Sequence, residues 1–152
     1  MSNFGQGARD PGYDVTLMVR DACLCLHVQR AARALARRFD EAFRPFDLTN
    51  GQFSLLMSLN RPEPPTLGSV AALLAMDRTT LTAALKPLER RHLVKIAVDK
   101  EDRRSRRLSL TAKGRALLTE ALPVWTSTHA AVDRELVPHS PDELRAALRA
   151  LA

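Results

Sequence analysis

Aromatic side chains are scarce in this sequence: one tryptophan, one tyrosine and five phenylalanines make up 5% of 152 residues. A core must then be filled mostly by Leu, Ala and Val, a composition that favours helices. Cysteine is limited to Cys23 and Cys25. Two positions apart on a helix, they point to nearly opposite sides and cannot staple a fold. No apolar run approaches the roughly 18–20 residues of a membrane span, and "MSNFGQGARDPGYD" has no apolar core of a signal peptide. No membrane partner is expected, and the thiols are expected to be reduced, in the cytoplasm. Chemistry is narrowed in the same way. There is no nucleophile–base–orienter set and no Gly-rich phosphate loop, and "CLCLH" sends its ligand atoms to diverging faces of a helix. An enzyme, a metal site and a cofactor are therefore not expected.

What is present is charge, unevenly placed. The chain carries 23 basic and 17 acidic residues, a net of +6. Between Asp77 and Arg115 twelve residues are Lys or Arg and five are Asp or Glu, so all of the excess lies in one block. That is the footprint of a polyanion-binding surface. Asp99 to Arg107 is charged everywhere except Ser105, yet apolar residues flank the run on both sides. A solvated tail has no reason to sit there.

Helical signals fill most of the remainder. Residues 15–44 hold no Gly or Pro and predict one long helix, with Asp14 as its cap and Pro45 near its end. Its first half is apolar on more than one face and calls for burial on two sides, as against a second subunit. Thr49 caps a shorter helix bearing Phe53, Leu56 and Met57, "RPEPP" breaks the chain, and "TLGSVAALLAM" forms another short helix. Asp77 N-caps the next one, with Leu81, Ala84, Leu85 and Leu88 as its apolar stripe. "LVKIAV" and "RRLSLT" form a hairpin joined by the charged run, with Ile96, Val98, Leu108 and Leu110 as its anchors. Thr111 caps a long helix that Pro123 should bend, and Leu144, Ala147, Leu148 and Leu151 make a final amphipathic stripe. Two short helices followed by a two-stranded wing make a winged helix-turn-helix. The fold class is thus mainly α with a small β-hairpin. Residues 1–14 are expected to form a flexible arm, 15–46 and 112–152 long flanking helices, and 47–111 the winged helix-turn-helix core.

"SVAALLAMDRTTLTAALKPLERRHLVK" followed by "DKEDRRSRRLSLTAKG" resembles the winged-helix core of the multiple antibiotic resistance regulator (MarR) family, over about residues 23–122. The resemblance implies a homodimer, built from 15–46 and 112–152 as dimerisation helices. Its DNA-binding core at 47–111 binds a pseudo-palindromic double-stranded DNA operator as a repressor and is relieved by a small phenolic or aromatic effector, or by oxidation. Arg78, Thr79, Thr80 and Thr82 open the helix that would enter the major groove. Lys86, Arg90 and Arg91 lie further along and suit phosphates. The resemblance places Arg104 at the wing tip, in the minor groove, with Asp102 orienting an arginine. Arg103, Arg106 and Arg107 are further candidates. Two departures are His92, where the family commonly has Gly after the recognition helix, and Pro87 inside that helix.

For the effector, family pockets lie between dimerisation helices and core, which brings in Cys25, His27, Phe53, Met57 and Trp125. Cys25 also matches the reactive cysteine of the organic-hydroperoxide-sensing branch. The tyrosines that support the thiolate there match Phe39 and Asn50 here. Cys23 and Cys25 as small buried hydrophobes remain the alternative reading.

Overall fold

The computed structural model describes residues 10–152 and divides into two compact units that meet at Leu35 and Ala36. Most of the expected N-terminal arm lies outside the described residues. Tyr13 and Asp14 already belong to the first helix.

The first unit contains α1 (Tyr13–Ala22) and the beginning of α2 (Leu24–Phe43). The single long helix expected here is broken at Cys23, which leaves helical geometry with ψ at 106°. Its sulfur accepts the Leu26 amide at 3.5 Å, and its carbonyl accepts from the His27 amide at 3.2 Å. A side chain that offers the backbone a local acceptor competes with the helical ladder. The expected cap also moves: Gly12, not Asp14, holds the N-cap position of α1. No residue of α1 is buried, and Tyr13, Met18 and Val19 are exposed.

The second unit runs from Ala36 through α7. After α2 comes a 3-10 turn (Arg44–Phe46), then α3 (Asn50–Ser58), α4 (Leu67–Leu73), α5 (Arg78–Arg90), β1 (Val94–Val98), β2 (Arg106–Leu110), α6 (Ala112–Glu135) and α7 (Pro141–Arg149). Three of the four helices from α3 to α6 start at a predicted cap, and Thr66 adds a fourth that the sequence reading did not name. Thr49 and Gln52 form a reciprocal capping box on α3, and Thr66, Asp77 and Thr111 accept the N3 amides of α4, α5 and α6. The core is chiefly leucine, with Leu56, Leu81, Leu85, Leu88 and Leu108 fully buried. Arg38 grips Glu135 with two bonds of 2.7 Å, and Arg145 reaches Asp133 at 2.6 Å, tying α2 and α7 to α6.

The scarce aromatics are concentrated rather than dispersed. Phe39, Phe43, Phe53, Trp125 and His129 close a ring of neighbours, with successive centroids 6.0, 4.6, 6.4, 4.5 and 4.7 Å apart. These spacings are those of favourable aromatic pairs.

The hairpin forms in the register Val94↔Leu110, Ile96↔Leu108, Val98↔Arg106. Leu108 and Leu110 anchor it, but Val98 is 51% exposed, because its partner is a surface arginine beyond the edge of the core. Leu93 and Val94 are buried in its place. Thr66 bridges to Arg107, and Leu108 donates its amide to the Pro65 carbonyl at 2.9 Å, so the loop before α4 extends the sheet.

Among the described residues three helix ends carry left-handed residues with side chains: Asp47 (φ 51°) after the 3-10 turn, Ala75 (φ 50°) after α4 and His92 (φ 58°) after α5. After α5, the His92 amide donates to the Glu89 carbonyl and that of Leu93 to the Leu88 carbonyl, a Schellman closure whose αL position suits glycine. His92→Gly should stabilise the fold by about 1 kcal/mol by removing the Cβ penalty. A thermal melt checks this, and an unchanged or lower midpoint would count against it.

Candidate nucleic-acid interface

Helix α5 is two-sided. Leu81, Leu85 and Leu88 point into the core, while Arg78, Thr79, Thr82 and Lys86 face outward with Ala83 around a shallow concavity of about 330 Å³. Arg90 continues the same i, i+4 row of exposed side chains. Asp77 fixes the start of the helix: its carboxylate accepts the Thr80 amide and the Thr80 hydroxyl, each at 2.7 Å. Those bonds hold the Asp77 carboxyl below its usual pKa, the amide bond first and the hydroxyl bond second. Thr80 is thus engaged in capping, and the Thr82 hydroxyl donates to the Arg78 carbonyl at 2.7 Å. Arg91 differs from its sequence reading as a phosphate contact. It straps the end of α5 to the main-chain oxygens of Phe46 and Asp47, more than forty residues away in sequence.

The wing turns on two aspartates with different tasks. Asp102 accepts the Arg104 amide at 2.9 Å through its side chain, and the Ser105 amide, also at 2.9 Å, through its carbonyl. The expected role of Asp102 in orienting an arginine side chain is therefore corrected: it closes the turn through backbone amides. The aspartate that holds an arginine is Asp99, only 8% exposed. It accepts from the Glu101 amide at 2.8 Å and from Arg107 Nε at 2.6 Å. The Glu101 bond first, and then Arg107, lower its pKa against the opposing effect of burial. Arg107 also donates to the Pro64 carbonyl at 3.0 Å, which makes it a brace between wing and α4 loop. Arg103, Arg104 and Arg106 stay exposed at the tip, and Arg106 Nη1 donates to the carbonyls of Arg103 and Ser105.

Of the residues read as effector contacts, Phe53, Met57 and Trp125 line one cleft of about 370 Å³ with Ser54, Ser58, Leu73, Leu74 and Leu122. Cys25 and His27 are not among its lining residues. Both are exposed on the first turn of α2, which corrects the reading of Cys25 as a small buried hydrophobe, and His27 Nδ1 lies 2.8 Å from the Cys23 carbonyl. Sequence reasoning passed over His129, which sits against Phe39 and Trp125. Burial lowers its pKa, Asp133 opposes that shift and Arg145 adds to it. Its spacing of four from Trp125 on one helix was the available signal.

Comparison with known proteins follows this geometry. Residues 48–114 match a family model described as a winged helix DNA-binding domain. The HTH-type transcriptional regulator TtmR of Methylorubrum extorquens (strain PA1) is 35% identical over 97 residues, which is 64% of this chain and 50% of TtmR. The chain thus spans about half the length of that curated relative. The M. tuberculosis transcriptional regulator MosR, solved in complex with DNA, is 37% identical with a TM-score of 0.77, over 85% of this chain and 92% of that one. The transcriptional repressor CouR, solved on a 23-mer DNA duplex, is 31% identical with a TM-score of 0.71, over 88% and 92%. No helix among the described residues is long and apolar enough to cross a membrane. Matched in its winged core and along most of its length by these regulators, the chain belongs to the MarR family of winged helix-turn-helix transcriptional regulators.

Proposed function

We propose that this protein is a homodimeric repressor that reads a pseudo-palindromic operator and is released by a small aromatic ligand. The observation that carries the reading is the exposed row Arg78, Thr82, Lys86 and Arg90 on α5, opposite its buried leucines and beside a wing tip bearing Arg103, Arg104 and Arg106. The amino-terminal end of α5 meets base edges in the major groove through Arg78, Thr79 and Thr82, with Thr80 holding the cap behind them. Lys86 and Arg90 contact phosphates and make affinity salt-dependent. The wing arginines enter the adjacent minor groove. The test is binding of the full chain to labelled duplexes tiled across its own upstream region, with scrambled duplexes as controls. One duplex should bind far more tightly than its scrambled form, as a two-to-one complex; equal affinity for all would overturn the reading.

The cleft walled by Phe53, Met57 and Trp125 supports release by an aromatic acid or phenol, since largely apolar walls with Ser54 and Ser58 among them suit a flat ring. The exposed Cys25 thiol gives the redox alternative its one support. Against it, Phe39 and Asn50 offer no phenol to a thiolate, and Phe39 is buried. Cys25→Ser should therefore leave release from DNA by aromatic acids intact, measured by anisotropy. If the wild type is released by an organic hydroperoxide and Cys25→Ser is not, redox sensing replaces the ligand reading.

A further inference from the structure

A Cβ built on Gly68 would fall 2.9 Å from Arg78 Nη2, 3.6 Å from its Cζ and 3.9 Å from its Nε. The guanidinium of the first residue of α5 thus lies along the first turn of α4, in room that a missing side chain leaves. Arg78 is exposed, and among the described residues no group accepts a hydrogen bond from its guanidinium. Its donors remain free for an outside acceptor, while contact with α4 sets where they point. An unconfined arginine loses rotamer freedom on binding, and a wall along one side removes part of that freedom beforehand. The same wall restricts the directions in which a planar fork can meet a guanine edge.

We infer that Gly68 is a positioning residue for sequence readout: by carrying no side chain, it lets the Arg78 guanidinium lie along α4, aimed at the major groove. The inference rests on the reading of α5 as the recognition helix. A Cβ at position 68 meets the far end of Arg78 rather than backbone, so alanine there strikes recognition and spares folding.

The experiment uses a duplex selected from a random library by the wild-type full chain, with a scrambled duplex beside it. Gly68→Ala, Arg78→Ala and the double variant are compared by fluorescence anisotropy and thermal melting. Gly68→Ala should bind the selected duplex about tenfold more weakly, within the range set by one bidentate base contact. Its affinity for the scrambled duplex should not change, and its melting temperature should hold or rise, because Ala suits a helix better than Gly. Arg78→Ala should also weaken selected binding, and the double variant should be no weaker than Arg78→Ala alone. An equal further loss in the Arg78→Ala background, a lowered melting temperature for Gly68→Ala, or unchanged binding by Gly68→Ala while Arg78→Ala is impaired would each overturn the inference alone. Unchanged binding by Arg78→Ala would overturn it together with the role given to Arg78.

Discussion

Arg104→Ala should reduce affinity for the preferred upstream duplex about a hundredfold, since one such arginine is worth roughly 1–3 kcal/mol and the proposed dimer would bring two wings. Nothing in the fold should register the loss. The Arg104 side chain is exposed, and the wing turn uses its amide, which alanine keeps, to meet Asp102 at 2.9 Å. An unchanged melting temperature with lost binding is the expected pair of results. Arg107→Ala provides the contrast. It would leave Asp99, at 8% exposure, without its cation and free the Pro64 carbonyl, so binding and stability should fall together. Undiminished operator affinity in Arg104→Ala would remove the wing from the interface.

Gly114→Ala should cost about 3 kcal/mol of stability, the upper part of the range for overpacking a close contact. The added Cβ would sit 2.1 Å from the Leu93 carbonyl oxygen and 3.0 Å from its carbon. That oxygen already accepts the Thr111 amide at 3.1 Å, and the Thr111 hydroxyl caps α6 through the Gly114 amide at 3.0 Å. Neither side can retreat without opening the junction between the hairpin and α6. For a chain of this size the melting midpoint should drop by roughly 10 °C, and a shift of only a degree or two would show that the junction yields easily. In operator binding the variant should behave as a partly unfolded wild type, unlike Arg104→Ala.

The elements of the DNA-binding core were readable because their signals are local. Thr49 before its short helix, Asp77 before its leucine stripe and Thr111 before α6 each lie within a turn of what they organise. The structure uses all three as read, with Gln52 completing a capping box at Thr49 that the reading did not include. What escaped depends on partners distant in the chain or on competition within one turn. Arg91 cannot be known as a strap until the loop at Phe46 and Asp47 is brought to it. Asp99 and Asp102 look alike in a charge run, and only pairing with Arg107 across the hairpin separates them. The break at Cys23 carries no Gly or Pro to announce it. The cleft residues divided the same way: Phe53, Met57 and Trp125 converge, while the chain order of Cys25 and His27 gave no guide to their surroundings.

The ring of aromatic side chains has a spectroscopic consequence. Trp125 is the sole tryptophan of the chain, half-buried, stacked towards Phe53 and with its indole 4.5 Å from His129. Every photon of tryptophan emission therefore originates in the wall of the cleft. Without any label, entry of the proposed ligand into the cleft should change the colour and intensity of that one indole, and an emission spectrum unmoved by a molecule that releases the DNA would place its site elsewhere.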